Sequence, residues 1–307
     1  MRTPSFTLKQ LNYFVTAARL GKIATAAIEL NISQSAITTA ILDLENQLGA
    51  ELLDRHPGGV TLTYRGQMFM AHAENILGAA NDAQRAPFRA DATAEGVVRV
   101  HATYVVCGYF LLPVIAKVRR LYPKIEIVLN EAPRQECERA LKSGEADIAV
   151  LLTSNLADSD GLESQRALRS RRQLWVGSGS ALLQKTEVSL YEVRDLPYVF
   201  LQVDDGEKVT RSYWQKYGLE PNVQFRTASM EALREWIALG MGVTIVADIV
   251  FRPWSLDGRK IERIPIFEGV PSMDIGLAWR RGADLSPAAV VLKDFVMQAS
   301  CQIAGVD

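Results

Sequence analysis

IATAAIELNISQSAITTAILDLENQLG, residues 23–49, reads as two short helices joined by a tight turn. Ile23, Ala27 and Leu30 form the inner face of the first, and the small Ala27 lets its partner cross closely. Asn31 interrupts the pattern, and asparagine tolerates the left-handed backbone of such a turn. Ile32 is placed to plug it. Ser33 is an N-cap residue type. From there Ile37, Ile41, Leu44 and Leu48 recur at helical spacing until Gly49 stops the helix. This is the spacing of a helix-turn-helix. Gln34, Ser35, Thr38 and Thr39 fall on the outer side of the second helix within its first two turns. A recognition helix meets base edges there, where glutamine can bond adenine twice and hydroxyls suit bases or phosphates.

The flanking residues extend this unit. Leu8, Leu11, Phe14, Val15, Ala18 and Leu20 make the apolar face of a preceding helix. Downstream, Leu52-Leu53-Asp54-Arg55 and Val60-Thr61-Leu62-Thr63 flank His56-Pro57-Gly58-Gly59, the pattern of a small β-hairpin or wing. Arg55 is placed there to reach a phosphate or the minor groove. Residues 64 to about 88 are Ala-rich and helical, with Met68, Ala71, Ile76, Leu77 and Ala80 on an apolar face. A long helix leaving a small domain finds nothing of its own to bury against, so a partner chain is expected, as in a coiled coil.

Leu11-x-x-Phe14, Ala26-Ala27-x-x-Leu30, the run from Ser33 to Thr38, Leu44-Glu45-x-x-Leu48-Gly49, Leu52-Leu53-x-Arg55 and Leu62-Thr63-x-x-Gly66 together resemble the LysR-type transcriptional regulators. The resemblance implies that outer residues of the third helix read DNA and that the wing arginine touches the backbone. The DNA-binding candidates are Ser33, Gln34, Ser35, Thr38, Thr39 and Arg55. This chain departs from the family pattern at Lys22-Ile23, Ser35, Thr38, Ala40 and Leu53. Ala40 stands where a polar residue is common, which bears on operator preference rather than on DNA binding itself.

Composition sets the broad class. The chain has 307 residues, 48% hydrophobic and 22% charged, enough for roughly two soluble domains. No apolar run approaches the ~18 residues of a membrane span, and the first residues carry no apolar signal core. Three widely spaced cysteines argue against a disulfide framework and for a reducing cytoplasm. Net charge is −1, and five basic against five acidic residues leave the first 62 residues neutral. Phosphate affinity must then come from a few basic side chains, helix N-termini and a doubled surface in an oligomer.

Beyond a hinge at Thr93-Ala94-Glu95-Gly96 the pattern changes to β-α-β-α-β. Strands are expected at 97–100, 125–129 and 147–152, with helices at 110–121 and 135–143. A second α/β half begins near Leu174, and a closing strand and helix follow at 275–279 and 287–298. Ligands bind outside the carboxyl ends of such strands, where two halves meet. Those ends are Ala102-Thr103-Tyr104, Asn130-Glu131, Thr153-Ser154, Gln202-Val203-Asp204 and Thr227-Ala228-Ser229. Thr103, Tyr104, Thr153, Gln202 and Ser229 are the effector-binding candidates. Thr103 and Ser229 each precede a helix, where backbone N–H groups favour a small anion. Taken singly, such residues also read as ordinary helix caps.

The family resemblance agrees with this half, implying an effector domain like a periplasmic binding protein with the inducer between its halves. The expected architecture is a winged helix-turn-helix domain (1–66), a linker and dimerisation helix (67–92) and a two-subdomain α/β effector domain (93–307). Subdomain I spans about 93–165 and 267–307, and subdomain II about 166–266. No phosphate-loop, zinc-protease or nucleophile-elbow motif is present. Neither the three histidines nor the cysteines show metal-ligand spacing. No enzymatic activity, metal or cofactor is expected. The sequence thus reads as a cytoplasmic transcriptional regulator of double-stranded operator DNA, controlled by a small organic acid and acting on access of RNA polymerase. Homodimers are expected through the linker helix, and the resemblance implies a homotetramer. Two alternatives stay open: a small-molecule binding protein whose N-terminal module only oligomerises, and a thiol switch centred on Cys107.

Overall fold

The computed structural model describes residues 5–85, 94–156 and 161–304. The chain divides into two compact units, residues 1–90 and 91–305. In the first, Thr7 and Gln10 form a reciprocal capping box at the start of α1 (Leu8–Leu20). Helix α2 (Ile23–Glu29) buries Ala26 and Ala27. Asn31 then turns the chain with φ 53°. Helix α3 (Gln34–Leu48) starts where Ser33 Oγ accepts a bond from Ala36 N–H at 3.2 Å, and ends at left-handed Gly49. Leu11, Phe14, Ile37, Ile41 and Leu44 are wholly buried. Each such side chain stabilises the domain by roughly 1.5–3 kcal/mol.

The wing is β1 (Leu53–His56) and β2 (Gly59–Leu62), paired so that Pro57-Gly58 forms a two-residue turn. Gly59 has φ 139°, and a Cβ there would lie 2.0 Å from the Gly21 carbonyl oxygen. That oxygen accepts the Val60 N–H at 2.8 Å, which pins the wing to the α1–α2 turn.

Helix α4 (Tyr64–Arg85) corrects one expectation. It does find something of its own to bury against: Met70 and Ala73 are buried, and Phe69 and Leu77 pack on the same core. Arg19 of α1 adds a 2.9 Å bond to Glu74. Positions two apart on a helix point to opposite sides. Met68, two residues before buried Met70, therefore stays 57% exposed, and Ile76, also of the expected apolar face, is 37% exposed. The helix carries two apolar stripes, and only one belongs to its own domain. The expected continuation past Arg85, and Thr93 of the hinge, lie outside the described residues.

In the second unit, β3 (Gly96–Ala102) leads into α5 (Tyr104–Val106), a π turn (Cys107–Leu111) and α6 (Leu112–Leu121). Then come β4 (Ile125–Glu131), α7 (Arg134–Ser143), β5 (Ile148–Leu152) and β6 (Leu162–Ser170). The other half holds β7 (Arg172–Gly177), α8 (Leu190–Val193), β8 (Pro197–Leu201), α9 (Gly206–Lys216), β9 (Asn222–Thr227), α10 (Met230–Ala238), β10 (Thr244–Ala247) and β11 (Ile261–Ile264). The chain returns through β12 (Met273–Arg280) to α11 (Pro287–Ala304).

The first sheet has order β4-β3-β5-β12-β6, with β3 parallel to both neighbours and β12 antiparallel to β5 and β6. Central β5 is buried throughout: Ile148, Val150 and Leu152 pack in the main core, while Ala149 and Leu151 pack on the side of α7. In the second half β7 lies between β10 and β11. The parallel β8-β9 pair meets the residue before β10 at a bridge of Tyr198 with Val243. Strand β6 has no counterpart in the sequence reading. It is an edge strand with mostly exposed residues, so it carries no apolar run. It keeps the chain in the first sheet through Ser170, past the crossing expected near residue 166.

Candidate nucleic-acid interface and effector cleft

Gln34, Ser35 and Thr39 are exposed along the start of α3. Ser35 and Thr39 line a groove of about 520 Å³ with Lys9, Gln10 and Tyr13 of α1, and Ala40 and Asp43 lie in the same wall. Ser33 caps the helix and also lies 3.0 Å from the Ser35 hydroxyl. Thr38 is half-buried and donates its hydroxyl proton to the Gln34 carbonyl at 2.9 Å, within its own helix. The α1 residues escaped the sequence reading because they are ordinary polar positions opposite an apolar stripe.

Arg55 has a partner that the sequence did not suggest. Its Nη2 donates to Glu45 Oε2 at 3.2 Å. Glu45 is buried, and its other oxygen accepts the Leu52 and Leu53 N–H groups at 2.8 and 3.0 Å. One carboxylate on α3 thus fixes the entry of the wing and orients its arginine.

In the second unit the ends of β3, β5 and β8 converge. Thr103 is buried and Tyr104 half-buried at the end of β3. The next N–H, of Val105, donates to Asp204 Oδ2 at 2.8 Å. Asn155, in the 3-10 turn begun by Thr153, donates to the Asp204 carbonyl at 2.9 Å. Arg134 Nε, at the start of α7, donates to Asp205 Oδ2 at 2.8 Å and its guanidinium also pairs with Glu138. Thr153, Gln202 and Ser229 are engaged locally: Thr153 with the Asp274 carbonyl, Gln202 with Glu207, and Ser229 as the N-cap of α10. A second cross-contact lies along α10. Buried Arg234 donates to the Tyr109 hydroxyl and to Glu231, while Arg252 lies 5.2 Å from the centre of the Tyr109 ring. Asp204, Asp205, Asn155, Arg134 and Arg234 are contributors that sequence reading did not select. Their signal, an Asp-Asp-Gly after a strand, is too common to stand alone.

Burial pushes the Asp204 carboxyl above its ordinary value, with the Val105 N–H acting the other way. Burial, then Tyr109 and Glu231, raise the Tyr104 phenol. Burial, then the Glu131 carboxylate, raise the Cys107 thiol, and burial pushes Cys137 up to about 12. Both cysteines are free thiols. Among the described residues no group of His, Cys, Asp and Glu is arranged to hold a metal ion, and no helix is long and apolar enough to cross a membrane.

Residues 8–67 match the family model described as bacterial regulatory helix-turn-helix protein, lysR family, and residues 91–300 match the LysR substrate binding domain. The chain is 28% identical over 284 residues to the HTH-type transcriptional regulator CysB of Burkholderia cenocepacia, covering 91% of this chain and 89% of that protein. It is 24% identical over 295 residues to the hydrogen peroxide-inducible genes activator of Pectobacterium carotovorum, covering 95% and 96%. The crystal structure of HinK, a LysR family transcriptional regulator from Pseudomonas aeruginosa, matches with TM-score 0.63 and 26% identity over 97% of this chain and 100% of that one. With residues 8–67 and 91–300 both matched to models of this family, the chain belongs to the LysR-type transcriptional regulators.

Proposed function

We propose that the protein reads an operator with Gln34, Ser35, Thr38 and Thr39 of α3, steadied by Ser33 and by the wing residue Arg55, and that a small organic acid in the cleft of the effector domain controls it. The observation that carries the second half is the convergence of Val105 N–H, Asn155 and Arg134 on one carboxylate-bearing turn, a donor set suited to an anion. The domains that follow from this reading are 1–66, 67–92 and 93–307, with Thr103, Tyr104, Thr153, Gln202 and Ser229 around the ligand. The exposed apolar residues Tyr64 and Met68, one turn apart on α4, support a homodimer. The edge strand β4, with exposed Val128, supports pairing of effector domains into a tetramer. Ligand that favours one arrangement of the subdomains shifts the angle between paired readers, and so the access of RNA polymerase to a promoter. This takes place in the cytoplasm. Cys107 does not suit a thiol switch, because its surroundings favour the protonated thiol.

Two measurements test the reading. Gln34→Ala is expected to weaken operator binding about 10-fold, in the range of 1–3 kcal/mol for a bidentate base contact, and to leave binding to random DNA unchanged in anisotropy titrations. Equal loss on both DNAs would reject Gln34 as a base reader. A thermal-shift panel of carboxylic acids is expected to give a saturable rise in melting temperature; a panel of neutral and cationic compounds giving the only hits would reject an acid effector.

A further inference from the structure

Asp204 and Asp205 follow β8 on the second subdomain, and both hold a left-handed backbone, with φ 50° and 62°. Non-glycine residues keep this conformation in succession only where the surroundings hold them. Gly206 completes the turn, where a Cβ would lie 2.6 Å from the Leu201 carbonyl oxygen. Three donors hold the two aspartates, and all belong to the first subdomain. They are Val105 N–H and Asn155 Nδ2 on Asp204, and Arg134 Nε on Asp205. They come from three separate places in the fold: the residues after β3, the turn after β5 and the start of α7. Thr103 is buried at the end of β3, and its hydroxyl has no hydrogen-bond partner among the described residues.

A carboxylate entering from solvent needs donors of this kind, and here the protein's own carboxylates take the Val105 N–H (Asp204) and the Arg134 guanidinium (Asp205), while the Asp204 main-chain carbonyl takes the Asn155 amide. We propose that the Asp204–Asp205 turn is an internal anion, which occupies the seat of the effector's carboxylate and latches the two subdomains together, so that the effector acts by displacing it. The proposal rests on the reading that the effector is an acid bound in this cleft. Binding and release of the latch are then one event, and the effector's apparent affinity is its intrinsic affinity multiplied by the fraction of molecules in which the latch is open. The displaced aspartates leave their left-handed conformation, which gives the second subdomain a new position relative to the first.

The test uses the full chain, without DNA and without the natural effector. Asp204→Gly keeps the left-handed backbone and frees the Val105 N–H, with Asp205 still on Arg134. Melting temperatures are compared in sodium acetate and sodium chloride at equal ionic strength, each as the difference from the wild type. In chloride the variant is expected to melt several degrees below the wild type, and acetate is expected to restore the loss saturably while leaving the wild type unmoved. If the variant melts with the wild type in chloride, or if acetate and chloride act alike on it, the latch is rejected. Should the glycine variant not fold, Asp204→Asn keeps the turn's shape and removes the charge. It is expected to gain more from acetate than the wild type does, and equal gains would again reject the latch. Failure here leaves the acid-effector reading standing, because that reading is decided by the panel of carboxylic acids on the wild type.

Discussion

At the scale of single residues, Glu45 organises the reader more than any residue that would touch DNA. It holds two wing N–H groups and Arg55 from a buried position. Glu45→Ala leaves those groups without a partner and is expected to lower stability by about 1.5–3 kcal/mol, the range for hydrogen bonds to a charged group. Urea denaturation measures it; a change within error would mean that water replaces the carboxylate. Cys107 and Cys137 make a second prediction. The reactive form of cysteine is the thiolate, and both thiols are shifted upward, Cys137 to about 12. Iodoacetamide at neutral pH is expected to spare both in the native protein and to label both in urea, read by peptide mass mapping. Rapid native labelling of Cys107 would revive the thiol switch. The caps Ser33, Asn31 and Gly49 were legible in the sequence because each acts within a few residues of itself. The partner of Arg55 was not, since Glu45 meets it only after the chain has turned at Gly49 and entered β1.

At the scale of elements, α4 is the informative one. Its sequence shows apolar residues on more than one side, and periodicity alone does not say which stripe a domain keeps. The fold assigns Met70 and Ala73 to the core and leaves Met68 and Ile76 outside. Met68→Glu is therefore expected to leave the melting temperature of the N-terminal unit nearly unchanged and to weaken self-association at least tenfold in sedimentation experiments. Met70→Glu is expected to unfold that unit, because it buries an unpaired charge. If Met68→Glu associates as the wild type does, the dimer uses another face. Strand β6 gives the opposite lesson. Its alternation is mostly polar because one face of an edge strand meets solvent, so only its pairing along β12 reveals it.

At the scale of the whole molecule, charge balance limits how the protein holds DNA. With five basic and five acidic residues in the first 62, affinity cannot come from net positive charge. A dimer presenting Lys9 and Arg55 from each chain would release few counterions, and log affinity against log salt is expected to fall with a slope of about −4. Fluorescence anisotropy across a salt series measures it, and a slope near −10 would mean a phosphate contact surface not yet identified. The sequence by itself determined the helix-turn-helix, its wing and the α/β character of the second half, because capping, turn geometry and apolar periodicity act over a few neighbouring residues. Only the tertiary structure decided which face of α4 stays outside, that β6 extends the first sheet, and that Asp204 bonds an N–H 99 residues away. Those features depend on where the chain returns to itself, and local preference carries no record of that.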